Sequence, residues 1–461
     1  MSTIGSIMNT AKQALLTQQV AIDVTGVNVS NATSTGYSRQ RAVIVPVVSS
    51  EVAQNDSQGG VAVETVQRLY DLFVERQISD QSAELNSSET RRDALQQVES
   101  IFNESQKDGL SGVLDKFWKA WDDLSANPKG DVERLAVVSA AGNLAATFKD
   151  YASQLIQIQD DLNTRIAENV TQLNSYLSDI AALNEKIIQT QSGGGNVNSL
   201  LDQRSELLKK LSETVDINYI QKSDGSLDIF LGNGKALLQG SQVWSLEALR
   251  NTSTGLNDVV FEDDPSFVLN SVITGGKLGG ALQVRDTDVA DYLRQLNTLA
   301  ETLVDRVNSQ HAAGFDLNGN VGGLFFQDVT EAKNMAVNPT LAADRSLIAA
   351  SATVNADGEN ARTVGSLRDA LAMNGGQVTF SAYLSSLISR VGTDVNVSQQ
   401  RYDQRNAVMT TLTNQKEQVS GVSIDEEMVN LIKYQMGYNA AGKMITTTQE
   451  LIDTLLALIG S

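Results

Sequence analysis

Two apolar seams, one at each end of the chain, constrain the fold more than any other feature. Ile4, Met8, Ala11, Leu15, Ile22 and Val29 fall on alternating steps of four and three, with Gln18 and Thr25 in the two polar slots. Met428, Leu431, Tyr438, Ile445, Ile452, Leu456 and Ile459 repeat the spacing near the other end, interrupted by Gln435, Gly442 and Gln449. That is a heptad pattern, and a helix carrying such a stripe must bury it against something. The partner it predicts is the opposite terminus or a neighbouring copy. Two helices of an ordinary intramolecular bundle would show the same spacing, but polar residues inside a seam fix register and stoichiometry at a cost in stability. Such features suit a contact between subunits.

Between the seams the chain favours long helices, because its 461 residues contain only four prolines, at Pro46, Pro128, Pro265 and Pro339. Residues 28–37 are rich in Asn, Ser, Thr and Gly and predict a chain reversal. The β-branched stretch from Arg39 to Val48 follows as a strand or extended arm. Helical periodicity is expected from about Glu64, with a hairpin closed at Asn127-Pro128-Lys129-Gly130. A seam from Phe148 through Ile166 to Ile187 predicts one helix over residues 132–191, roughly 90 Å long at 1.5 Å per residue. Asp224-Gly225, flanked by Ile217 to Ile220 and Leu227 to Leu231, is a strong hairpin signal. Helical periodicity returns at Asp286, and a polar helix spans residues 379–418.

The fold class predicted is mainly α: an elongated antiparallel helical bundle or coiled coil formed by both chain ends, with a small β-rich insert. Residues 1–60 and 405–461 form the terminal polymerisation domain, residues 61–215 and 286–404 a helical rod, and residues 216–285 the insert. Aromatic content of only 5% points to thin bundles packed through Leu, Ile, Val and Ala.

Charge and residue usage exclude several function classes. Thirty-five basic against 55 acidic residues leave a formal charge of −20, which repels phosphate backbones and anionic lipid, so neither nucleic acid nor a membrane is an expected partner. No cysteine and one histidine, His311, remove disulfides, thiolate nucleophiles and Cys-based zinc sites. No secretory signal pattern is visible at the N-terminus, and the apolar run from Leu451 to Gly460 is too short to span a bilayer. His311, near a helix end before Gly314, reads as a capping or packing residue. Asp316, Asn318 and Asn320 begin like a calcium loop but continue with Val321 and Gln327 where Gly and Glu are required, so they read as an Asx turn. Glu426 and Glu427 form a carboxylate pair of the kind glycosidases use, yet Ser423 three residues before Glu426 makes this a capping box at a helix start. No catalytic residue, metal site or cofactor is expected.

Residues 14–40 closely resemble the N-terminal signature of bacterial flagellar axial proteins, and the ending Gly36-Tyr37-Ser38-Arg39-Gln40 resembles that of their hook-associated members. Residues 420–435 look like the C-terminal segment shared by axial subunits, and residues 311–320 with Gly323, Phe325 and Phe326 are similar to an internal hook-associated motif. The resemblance marks Asn28, Asn31, Gly36, Tyr37 and Arg39 as the axial motif. It implies a non-enzymatic, secreted structural subunit that self-assembles through its paired terminal helices at the junction of hook and filament. The partners it implies are copies of the chain, hook subunits, the next hook-associated protein, and an export chaperone holding the C-terminal helix before type III export. A hook, rod or filament subunit is the alternative within the apparatus, and a peptidoglycan hydrolase a distant one outside it.

Overall fold

A computed structural model describes residues 4–34, 36–48, 59–103, 109–354 and 357–459. The chain opens with helix α1 (Ile4–Ser30) and turns back into a hairpin of β1 (Gln40–Val48) and β2 (Gly59–Arg68). The strands pair antiparallel from Gln40 opposite Arg68, through a bulge at Val43/Ile44, with Pro46 opposite Val61. β2 lies against α1, where Thr10 and Thr17 donate their hydroxyls to the Gly59 and Val61 carbonyls. The stretch from Glu64 to Arg68, expected to begin a helix, is therefore strand. β-branched Val61, Val63, Thr65 and Val66 lead into and through it, and β1 pairs with each residue of the stretch except Glu64, which falls at the bulge.

Helix α2 (Leu72–Ile101) begins only after Asp71, whose carboxylate accepts from the Phe73 and Val74 amides. α3 (Leu110–Ala126) and α4 (Asp131–Ser192) follow as a hairpin, and α4 is an unbroken 62-residue spine of roughly 90 Å. Phe148, Leu155, Ile166, Leu173, Ile180 and Ile187 are all buried along it. α5 (Asn198–Thr214) returns along the spine and leads into β3 (Ile217–Gln221), β4 (Leu227–Leu231), β5 (Ala236–Gln239) and β6 (Gln242–Val243), a four-stranded antiparallel sheet in sequence order. β7 (Leu246–Arg250) and β8 (Asn257–Phe261) form a separate pair. Gly225, at φ +84°, makes the β3–β4 turn that the Asp-Gly signal predicted.

Helix resumes at α6 (Gly276–Gln283), not at Asp286, and a π turn over Val284–Asp288 joins it to α7 (Val289–Ala312). Glycines hide α6 from a periodicity reading, and close packing explains them: a Cβ on Gly280 would lie 2.5 Å from the Ser87 carbonyl of α2. Short helices α8 (Pro339–Ala343) and α9 (Glu359–Ser366) precede α10 (Phe380–Ser420) and α11 (Ile424–Ile459). α10 runs along α2, tied by Lys416 to Glu75 at 2.8 Å and by the Gln81 amide to the Arg405 carbonyl at 3.1 Å. The expected division at residue 405 falls inside this helix; the break comes at residues 421–423.

The aromatic residues are few but not dispersed. Phe117, Trp118, Trp121, Phe325, Phe326 and Phe380 pack together around His311, all fully buried, in one thick core at the end of α3. Thin packing holds along the spine and fails here. Composition counts aromatics without showing that they cluster.

Candidate assembly site

The two chain ends meet as an antiparallel helix pair, with Asn28 of α1 beside Glu427 of α11 and Gln18 beside Gly437. At the base of the pair the reversal predicted at residues 28–37 forms a polar lock. Gly36 sits at φ +81°, a conformation that any Cβ opposes, and this bend brings Tyr37 back over α1. The Tyr37 hydroxyl and the Gln40 amide both donate to the Asn28 side-chain oxygen, at 2.7 and 2.9 Å. The Asn28 amide group donates to the Gln40 carbonyl and to Glu427 Oε2, at 2.8 and 3.1 Å. Every hydrogen-bonding position of Asn28, 1% exposed, is filled.

Arg39 completes the lock. Its Nε and Nη2 reach Glu427 Oε1 at 2.8 and 2.7 Å, and Nη1 reaches Glu426 Oε2 at 2.8 Å. Glu427 is 2% exposed, so this pair lies largely outside the screening of solvent. Burial, with Asp202 and Glu427 nearby, pushes the Tyr37 phenol up to about 12. Of the motif residues, Asn28, Tyr37 and Arg39 converge, Gly36 permits the bend, and Asn31 stays local, donating to the Val27 carbonyl. Ser423 accepts from the Glu426 amide at 3.5 Å, the weak half of a capping box. The reciprocal half is absent because the Glu426 carboxylate engages Arg39 instead.

A second set of ties holds this base to the rod. Arg68 pairs with Asp202 of α5 at 2.9 Å and donates to Ser38, and Asn198 donates to the Val66 carbonyl. Burial raises the Asp202 carboxyl even against the opposing charge of Arg68.

Above the lock, the surface between the helices is made of small side chains. Ala11, Ala21 and Thr25 of α1 are buried, as are Ala441 and Thr448 of α11, while buried Thr17 faces β2. The larger seam residues stand at the margins. Ile4, Met8, Leu15, Ile22, Val29, Leu431, Ile445 and Ile452 are half-buried; Tyr438, Met428 and Leu456 are exposed, and the Ile459 side chain lies outside the described residues. The inward line of α11 runs Glu427, Tyr434, Ala441, Thr448, a seven-residue repeat that a search for large apolar residues passes over. Turned outward instead are Val429, Ile432, Met436, Met444, Leu451, Leu455 and Leu458, with Met436 68% and Leu458 69% exposed. Leu16, Val20 and Val27 do the same on α1. Each such side chain contributes roughly 1.5–3 kcal/mol when covered.

Elsewhere the candidate residues serve the fold. His311 is fully buried, its Nδ1 on the Gly323 carbonyl at 2.7 Å and its Nε2 accepting from the Ala349 amide at 2.9 Å. Asp316 accepts from the Asn318 and Asn320 amides, an Asx turn. No cluster of three or more His, Asp or Glu suited to a metal occurs among the described residues, and none of the described helices is long and apolar enough to cross a membrane.

A helical rod with paired chain ends, uncovered apolar faces and polar groups spent on the fold defines the class: a structural protein. The comparisons with known proteins agree. The model of the flagellar hook-associated protein FlgK helical domain matches residues 95–326, and that of the flagellar basal body rod FlgEFG protein C-terminal region matches residues 416–458. Flagellar hook-associated protein 1 of Bacillus subtilis is 30% identical, over 98% of this chain and 98% of its own length. That of Escherichia coli is 24% identical over 98% of this chain and all of its own. The flagellar hook junction protein FlgK of Burkholderia pseudomallei shares the fold, with a TM-score of 0.67 at 17% identity over 75% of this chain and all of that one. The chain belongs to the FlgK family of flagellar hook-associated proteins. It is a structural flagellar protein and not an enzyme.

Proposed function

We propose that this chain joins hook to filament by packing copies of itself side by side through the terminal helix pair. The observation that carries the reading is the line of outward apolar residues on α11, backed by α1. A monomer gains nothing from Ile432, Met436, Leu451 and Leu455 at the surface, whereas a neighbouring copy covers them. A formal charge of −20 repels copies at long range, so adhesion must come from such short-range burial. In this reading hook subunits lie on one side of the ring and the next hook-associated protein on the other. An export chaperone covers the same α11 face before passage through the flagellar conduit. The lack of cysteine suits a chain that travels unfolded.

The test is substitution on the exposed face, where folding is spared. Ile432→Asp and Leu451→Asp in the full-length chain should leave helical content and thermal unfolding unchanged and abolish incorporation into flagella. Cells carrying either variant, like cells lacking the protein, should show hooks without filaments by electron microscopy. Normal filaments on both variants would overturn the reading.

A further inference from the structure

We propose that Glu427 is the positioning residue that sets the register of the α1–α11 pair, making one alignment of the chain ends far better than alignments displaced by whole heptads. The need for such a device follows from the seam. Two heptad-patterned helices present similar residues to one another after every slide of seven, and a seam of Ala and Thr distinguishes those alignments poorly. One buried polar group that finds its partners in only one alignment resolves the degeneracy.

Glu427 meets that requirement. Among the described residues of α11 it is the one buried charge, and its partners Arg39 and Asn28 cannot follow a sliding helix. Arg39 is pinned by its own backbone, its amide donating to the Ser420 carbonyl at 2.9 Å and its carbonyl accepting from the Leu69 amide at 2.8 Å. Sliding α11 further along α1 carries the carboxylate to Ala21 and Thr25, away from the Asn28 amide and the bidentate grip of Arg39, with only the exposed Arg41 lining that stretch. Gln18 supplies an independent second mark. It lies over Gly437, where a Cβ would come within 2.9 Å of its Cδ, and a seven-residue slide brings Asn430 or Met444 to that place. Both marks select the same alignment. The proposal deepens the assembly reading and rests on it for its purpose, since a ring of equivalent copies requires the same alignment in each.

The absence of cysteine makes the register directly measurable. Counting from the Asn28–Glu427 and Gln18–Gly437 contacts places Ala14 level with Ala441, and the slide that carries Glu427 to Ala21 brings Tyr434 of the same inward line to Ala14. Ala14→Cys with Ala441→Cys reports the native alignment, and Ala14→Cys with Tyr434→Cys the displaced one. Oxidation of the full-length proteins in solution should give the native cross-link in at least about tenfold excess. Arg39→Met with Glu427→Leu should bring the two products to within about twofold while helical content is kept, because apolar replacement of both members of a buried ion pair is neutral or stabilising. Should that variant fail to fold, Arg39→Gln with Glu427→Gln removes both charges at similar size, and the same loss of preference is expected. A cross-link ratio unmoved by the variant that folds, or comparable products without any substitution at residues 39 and 427, would overturn the proposal. Failure of the assembly reading would appear separately, as normal filaments on the α11 surface variants with the cross-link ratios unaffected.

Discussion

His311 shows what a single residue can be made to report. Both ring nitrogens are committed, Nδ1 as donor to the Gly323 carbonyl and Nε2 as acceptor from the Ala349 amide, so protonating the ring destroys an existing bond. Burial brings its folded pKa down from 6.5 to about 4. A lowered histidine pKa means the unfolded chain binds the proton first. This contribution to stability is intact above 6.5 and is lost as pH falls from 6.5 towards 4, by roughly 3 kcal/mol over the full window. Urea unfolding followed through Trp118 and Trp121 should therefore show His311→Gln less stable than the parent at pH 7, with the gap closing by pH 4.5. A constant gap across that range would reject the assignment. Gly36 offers a second residue-level outcome. Alanine there costs roughly 1–2 kcal/mol for its left-handed backbone, and its Cβ would sit 3.2 Å from Glu206 Oε2, so Gly36→Ala should lower the melting temperature. The turn itself was legible in its Gly and Asn residues. The destination of Arg39 was not, because its partners Glu426 and Glu427 lie nearly 390 positions away.

At the scale of elements, periodicity succeeded where one face alone decides burial. α4 and α10 show a single stripe over many turns, and their ends were legible to within a few residues. It failed where another element decides. Residues 64–68 pair with β1, and the glycines of α6 answer to the backbones of α2 and of residue 274, neither of which leaves a helical stripe. The α11 helix is legible in the sequence but its inward face is not, since that line is Glu427, Tyr434, Ala441 and Thr448, with no large aliphatic side chain. The β insert depends on one side chain of α4. Asn184 donates to the Leu227 and Gly240 carbonyls and accepts from the Leu227 amide and from Arg204, whose guanidinium burial holds near 10. Asn184→Ala removes the side chain that serves the Leu227 and Gly240 carbonyls and the Leu227 amide, and leaves Arg204 with the Gly225 carbonyl alone, at a cost of roughly 3 kcal/mol. The loss should fall on the insert: hydrogen exchange of β3, β4 and β5 should accelerate while the middle of α4 stays protected. Equal acceleration of both would mean that insert and spine unfold as one unit.

The whole molecule divides into a part that stabilises itself and a part whose large apolar side chains stay uncovered. The rod buries Leu, Ile, Val and a full aromatic core around a continuous spine, and these contacts are complete within one chain. The axial pair joins 27 residues of α1 to 36 of α11 mainly through Ala and Thr, with its large apolar side chains turned outward. Ordering a residue costs about 1–2 kcal/mol of backbone entropy, which helical hydrogen bonds offset only marginally unless a packed face adds to them. In the free monomer that face is thin. The polar lock and its ties to α5 anchor the base, so opening should begin at the far end, near Ile4 and Ile452, and progress towards Asn28 and Glu427. Hydrogen exchange of the dilute full-length protein should accordingly show amides of α1 and α11 exchanging at least about a hundredfold faster than those of central α4, with protection rising towards the lock. Assembly into flagella should raise protection along α11 and along the Leu16, Val20 and Val27 face of α1 and leave α4 as it was, because in the proposed packing only the terminal pair gains cover. An isolated monomer whose terminal helices already exchange as slowly as α4 would mean that the pair is complete without neighbours, and the exposed apolar line would then need a different explanation.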